Sequence, residues 1–255
     1  MIKSVFLDKI NKQLQQIQHK LHILQENSFI IANSNTIGIL AILTTLILTT
    51  FGNSSLIAIG AISVVFFAIV TLFTDIGQKI ELQNCDGALF VYLIFCTIST
   101  INSTMPIESF LGLSKTLIYI AFYFSTLLLL RSKPKFSIIC IVIIALIATF
   151  EAGIGLLQEH TNVLAGATWQ DLSNLTPEQI MTRVFGTLNP QNPNLYGGYM
   201  LSALGAITAI FLITLAQKKL KLTIFFGLGF ILSIVAIFFS GCRGAYLGLG
   251  HFYFV

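Results

Sequence analysis

Apolar residues in this chain come in long unbroken runs separated by short polar segments. Seven runs approach the ~20 residues that a helix needs to cross a bilayer. They are Thr36–Phe51, Ser55–Phe73, Ala88–Thr104, Phe110–Leu130, Phe136–Leu157, Leu195–Ala216 and Leu222–Ser240. An eighth begins at Ala245 and reaches Val255, about half of a crossing. The pattern predicts an all-α, polytopic transmembrane helix bundle over residues 31–255, with seven full spans and a truncated eighth. The chain is expected to end inside a membrane helix, as the N-terminal part of a longer or interrupted protein. Ahead of the bundle, over residues 1–30, the pattern changes. Ile10, Leu14, Ile17, Leu21 and Leu24 recur at steps of four and three, which places them on one helix face. Lys3, Lys9, Lys12, His19, Lys20 and His22 lie on or beside the other. Such an amphipathic helix either lies in the interface of an anionic cytoplasmic leaflet or makes a short coiled-coil contact with a partner.

Composition narrows the class. The chain is 55% apolar and 9% charged, against roughly 25% charged residues in soluble domains. A water-soluble globule of this make-up has nothing to cover its surface. An outer-membrane barrel needs alternating strands, and these runs do not alternate. The polar N-terminus has no signal-peptide pattern. Cys85, Cys96, Cys140 and Cys242 are scattered without metal-type spacing and read as small apolar filler. No metal site or cofactor is expected. There is no H-E-x-x-H, Walker loop or dinucleotide fingerprint, and nothing supports nucleic-acid binding.

The net charge of +4 is small; its distribution is informative. Basic residues cluster at the N-terminus, in Arg131–Lys135 and in Gln217–Lys221. Positive-inside bias places all three in the cytoplasm. Seven spans threaded from a cytoplasmic N-terminus satisfy this, with Asp75–Asp86 also inside. Gly52–Ser54, Asn102–Ser109, the long loop Gln158–Asn194 and the turn Gly241–Gly244 then fall outside, in a multi-pass protein of the cytoplasmic membrane.

That threading isolates a few charges. Of the three arginines, Arg131 is inside, whereas Arg183 and Arg243 are outside, against the bias. They flank the ends of one antiparallel helix pair. Two guanidiniums there suit a phosphate or pyrophosphate, because each offers a planar fork of donors that stays charged. The alternative is snorkelling to lipid headgroups. Lys115 and Glu151 lie at matching depths, roughly 8–9 Å below the outer boundary at 1.5 Å per residue. They form either an ion pair or an extension of the cationic cluster, with Glu151 holding Lys115. The run Asn189–Asn194 (NPQNPN) cannot be regular helix, since each proline removes an N–H and biases its predecessor away from helical geometry. Asn194 is expected as the N-cap of the next span, aiming a helix N-terminus at the region of Arg183. Gly186 permits close backbone approach; Gly197 and Gly198 read as small packing residues. In the loop, Trp169 suits an interface, while Glu159, His160, Asp171 and Glu178 read as solvated residues. No catalytic residue is singled out.

Arg183-Val-Phe-Gly-Thr-Leu, Asn192-Pro-Asn-Leu, Gly198-Tyr199 and, two spans on, Ser240-Gly-Cys-Arg243-Gly-Ala resemble the O-antigen ligase and polysaccharide polymerase superfamily. The nearest branch is a cyanobacterial one named for inorganic-carbon (bicarbonate) transport, which the chain also resembles at Leu72, Thr74 and Asp75, at Ser114, Lys115 and Tyr119, and at Gly155, Leu156 and Gln158. The resemblance covers residues 55 to 250. It implies a transferase that handles glycan carried on undecaprenyl pyrophosphate at the outer face of the cytoplasmic membrane. The family's pyrophosphate-holding arginines map onto Arg183 and Arg243; beside that, the placement of Lys115 would add a third cation, and Asn192, Asn194 and Glu151 would support the site. The link NPQNPN is two residues longer than the family's. The family's external loop and its assisting histidine follow later spans, so no residue here inherits that role. A separately encoded C-terminal half would supply it. The other functions this resemblance leaves open are bicarbonate transport, with a small anion on the same cations, and a non-functional fragment.

Overall fold

The computed structural model describes residue 23 and residues 28–74, 84–161, 165–166, 182–188 and 191–254. The helix expected over residues 1–30, apart from Ile23 and 28–30, lies outside the described residues, as do Trp169, Asp171 and Glu178. Nine helices are described: α1 (Phe29–Ala32), α2 (Ser34–Phe51), α3 (Ser54–Thr74), α4 (Asn84–Ile101), α5 (Pro106–Arg131), α6 (Pro134–Thr161), α7 (Pro193–Ala216), α8 (Leu220–Ser240) and α9 (Arg243–Phe254). Between α6 and α7, β1 (Ala165–Gly166) pairs antiparallel with β2 (Thr182–Arg183). Six helices, α2, α3, α5, α6, α7 and α8, are long and apolar enough to cross a membrane. The chain is a polytopic helical membrane protein.

Local chemistry explains where the helices begin and end. Pro106, Pro134 and Pro193 open α5, α6 and α7, where the missing N–H is not needed and φ is already helical. Asn53 Oδ1 accepts from Leu56 N at 2.9 Å at the start of α3. Threonine hydroxyls inside the helices bond back to carbonyls one turn earlier, as Thr71 does to Phe67 and Thr149 to Ala145. This satisfies them without water. Two boundaries differ from expectation. The apolar stretch of α4 is Asp86–Ile101, shorter than the other six, where a span to Thr104 was expected. Ser103 Oγ accepts from Met105 N at 3.0 Å, and Met105 precedes a proline, so the chain turns before Thr104. The helix expected to end at Leu157 continues through Gln158, Glu159 and His160 to Thr161.

The chain divides into two compact units, residues 1–44 with 58–134, and residues 45–57 with 135–255. In the first, Ile39 and Ile42 of α2, Ala61, Val64 and Ala68 of α3 and Leu128 and Leu129 of α5 are buried. A Cβ on Gly38 would stand 2.8 Å from Leu129 Cδ1 and 3.1 Å from Phe67 Cβ, so glycine allows the three helices to meet. Lys133 Nζ donates to Thr36 Oγ1 at 2.6 Å, and Tyr123 Oη donates at 3.0 Å to the fully buried Asp86.

In the second unit, small residues carry the contacts. Ala145, Ala148 and Ala152 on α6 repeat along one stripe, and Gly229, Ser233, Ala236 and Ser240 do so on α8. Met200, Leu204 and Ile207 of α7 fill between them. Without a hydrophobic force between helices in lipid, such close approach supplies the packing. Gly197 is part of this: a Cβ there would lie 2.6 Å from Cys242 Cβ and 2.7 Å from Ser240 Oγ. Gly198 faces open space instead.

The α7–α8 turn contains Lys218 at φ 54°, the one non-glycine residue in the left-handed region among those described. That conformation costs an L-residue roughly 1–2 kcal/mol. Lys218→Gly, at this exposed site, is expected to raise stability by about 1 kcal/mol, partly offset by the entropy of glycine. Unfolding of the detergent-solubilised protein checks this.

Candidate anion-binding site

The site is built where α6, α7, α8 and α9 end or begin within the second unit. β2 ends at Arg183, whose backbone pairs with Ala165. The next four backbone N–H groups are each taken up. Val184 N donates to Phe239 O at 3.4 Å, one of the C-terminal carbonyls of α8 that lack a helical partner. Phe185 N and Gly186 N donate to Gln158 Oε1 at 3.0 and 2.9 Å, and Gln158 Nε2 returns a bond to Gly186 O at 2.8 Å. Thr187 N donates to Glu151 Oε2 at 2.9 Å, and the Thr187 hydroxyl donates to Glu151 Oε1. Glu151 and Gln158 are seven residues apart on α6, two turns along one face.

Burial makes this clasp consequential. Glu151 is fully buried, as are Val184 and Tyr196. A buried polar group without partners costs about 1–3 kcal/mol, more if charged, so the carboxylate and the turn satisfy one another. Tyr196 Oη donates to Glu151 O at 2.8 Å, joining α7 to α6. Gly186 has φ 62°. The partners expected for Glu151 lay around Lys115; within its own unit it is engaged by Thr187.

The turn delivers Arg183 to a cavity of about 490 Å³ lined by Arg183, Asn194, Gly241, Cys242, Arg243 and Gly244. Volumes of roughly 300–1,000 Å³ are usual for ligand pockets. The arginine stem lies along Gly241: a Cβ there would stand 3.1 Å from Arg183 Cδ and 3.0 Å from Nε. Gly241, at φ 61°, ends α8 in the left-handed conformation, a common helix stop. Arg183 Nη1 donates to Asn194 Oδ1 at 3.4 Å.

The N-cap of α7 is Asn192, not Asn194 as expected. Its Oδ1 accepts from Asn194 N at 2.9 Å and Leu195 N at 3.4 Å. Because Pro193 fits the first helical position, the helix starts one residue before Asn194, whose side chain is left to face the arginine. Arg243 is exposed and is the first residue of α9. A cation at a helix N-terminus is unfavourable by about 0.3–1 kcal/mol. Two guanidiniums and the starts of α7 and α9 therefore come together around one cavity.

Arg183, Arg243 and Asn194 are thus brought together; Asn192 acts by capping, and Glu151 lies beneath the turn. Lys115 belongs to the first unit, exposed on α5. His160 is exposed at the end of α6. Among the described residues no group of histidine, cysteine and carboxylate side chains is arranged to hold a metal. Gln158 and Thr187, which carry part of the resemblance, are not among the expected site residues; the further signal for Gln158 is its spacing of seven from a carboxylate in an otherwise apolar helix. Comparison with protein-family models, curated proteins and solved structures finds no match.

Proposed function

We propose that this protein binds the pyrophosphate of a polyprenyl-linked glycan at the outer face of the cytoplasmic membrane, as an O-antigen-ligase-like transferase. The observation that carries the reading is the shared cavity of Arg183 and Arg243, two residues distant in sequence, set against two helix starts. In such a transfer an acceptor hydroxyl attacks the anomeric carbon. The bond from that carbon to the pyrophosphate oxygen breaks, and the arginines stabilise the departing charge. The hydroxyl proton goes to a base that no described residue is assigned to provide. The N-terminus is cytoplasmic and α4 makes a seventh crossing. At 18 residues α4 spans about 27 Å, close to the ~30 Å hydrocarbon core, and seven crossings keep all basic segments on one side.

Cys242 lines the cavity and reports on it. With Cys85, Cys96 and Cys140 replaced by serine, Cys242 is labelled with an anionic methanethiosulfonate, with and without geranyl pyrophosphate. The pyrophosphate is expected to slow labelling at least tenfold. Arg183→Ala and Arg243→Ala are each expected to raise its Kd about tenfold or more, since a charge-assisted hydrogen bond contributes about 1.5–3 kcal/mol. Unchanged protection in both variants would overturn the reading. Protection by bicarbonate and not by pyrophosphate would favour small-anion transport on the same cations.

A further inference from the structure

Arg183 is held in place from beneath. Four consecutive N–H groups after it are fixed by three residues of two helices, Phe239 of α8 and Gln158 and Glu151 of α6, and the two α6 partners are side chains that do not line the cavity. Gln158 makes three hydrogen bonds to the turn, and Glu151 accepts two from Thr187. The turn cannot drift toward α6, because Gly186 already stands where any Cβ would strike Glu151 Oε2 and the Tyr196 ring. It cannot lift toward the cavity without leaving the buried Glu151 carboxylate and Gln158 amide unsatisfied, at about 1–3 kcal/mol for each neutral group and more for a charge. The guanidinium is constrained in turn by Gly241 along its stem and Asn194 at its tip.

We infer that Gln158 and Glu151 are positioning residues that act through Arg183, setting its guanidinium at the cavity for the anion without touching the anion themselves. This rests on the pyrophosphate-binding reading above and gives Glu151 a task other than holding Lys115. A charged group needs its donors fixed before the ligand arrives, because ordering them on binding subtracts from affinity. The clasp does this for Arg183, whereas the backbone of Arg243 is set by the first turn of α9.

The test is a double-mutant cycle on geranyl pyrophosphate affinity, read by Cys242 protection in the full chain. Gln158→Met keeps the length of the side chain and removes its three hydrogen bonds. Thr187→Val is milder and removes the hydroxyl bond to Glu151; it serves if Gln158→Met does not fold. Each is made with Arg183 present and with Arg183→Ala. Gln158→Met is expected to weaken binding about tenfold and Thr187→Val about threefold when Arg183 is present. Neither is expected to weaken it further in the Arg183→Ala background. Equal losses in both backgrounds mean a general structural role and overturn the inference while leaving the site reading intact. No loss with Arg183 present overturns it likewise. If Arg183→Ala by itself leaves affinity unchanged, the site reading fails first, and the inference with it.

Discussion

Replacing Gly186 with alanine is expected to destabilise the protein by about 3 kcal/mol or more, and with valine to prevent folding. Two costs combine. The residue has φ 62°, which for an L-residue costs roughly 1–2 kcal/mol. The added Cβ would also meet Glu151 Oε2 and come within 2.6 Å of Tyr196 Cε2. Overpacking of this sort costs typically 1–3 kcal/mol. Neither neighbour can yield freely: the carboxylate is held by Thr187, and the ring by its hydroxyl bond to Glu151 O. β-Branching adds further restriction at χ1, hence the harsher result for valine. Gly198→Ala is the control. It is exposed on α7 with open space around it, and alanine is expected to raise stability by about 0.5–1 kcal/mol there. Thermal or denaturant unfolding in detergent measures both. A Gly186→Ala protein within ~0.5 kcal/mol of wild type, the scatter of ordinary surface changes, would show that the turn is not held as described.

The bundle was legible because lipid leaves the backbone few choices: an apolar run of this length must satisfy its own hydrogen bonds, and a helix does so. Helix starts were legible in part. Pro106, Pro134 and Pro193 open three helices, and because a proline suits a first helical position as well as a break, the cap of α7 falls on Asn192 and not on the expected Asn194. The pairing of Arg183 with Arg243 was legible through topology, since charge bias placed both against expectation at one end of a hairpin. The clasp was not. Depth along the helices points Glu151 toward a cation such as Lys115; within its own unit it also accepts from the N–H and hydroxyl of Thr187, which no local pattern announces. Gln158 follows Leu157, where the apolar run ends, so hydropathy alone does not show its register with Glu151 on α6. Both contacts have one cause: residues 185–187 meet α6 largely through backbone donors, and backbone donors carry no residue identity.

Tyr196→Ala is expected to cost about 3–5 kcal/mol, the range for losing a buried aromatic ring, whereas Tyr196→Phe is expected to cost only about 1 kcal/mol, the usual net contribution of one hydrogen bond. The ring is fully buried and occupies space that two glycines leave open. A Cβ on Gly155 would strike its hydroxyl, and a Cβ on Gly186 its ring edge. Truncation therefore opens a void bounded by α6 and the turn, neither of which has side-chain atoms at those glycines to close it. Phenylalanine keeps the ring and removes only the bond to Glu151 O. If the clasp is positioned by the ring, Tyr196→Phe retains pyrophosphate protection of Cys242 within about twofold, since α7 still seats against α6 and only ~1 kcal/mol is removed from the fold. Tyr196→Ala loses protection even at temperatures where the protein is still folded, because the turn bearing Arg183 has lost the surface it rests on. Equal stability of the alanine and phenylalanine variants would mean that the ring does not hold the turn, and would move the anchor of the site to the hydrogen bonds of Gln158 and Glu151 alone.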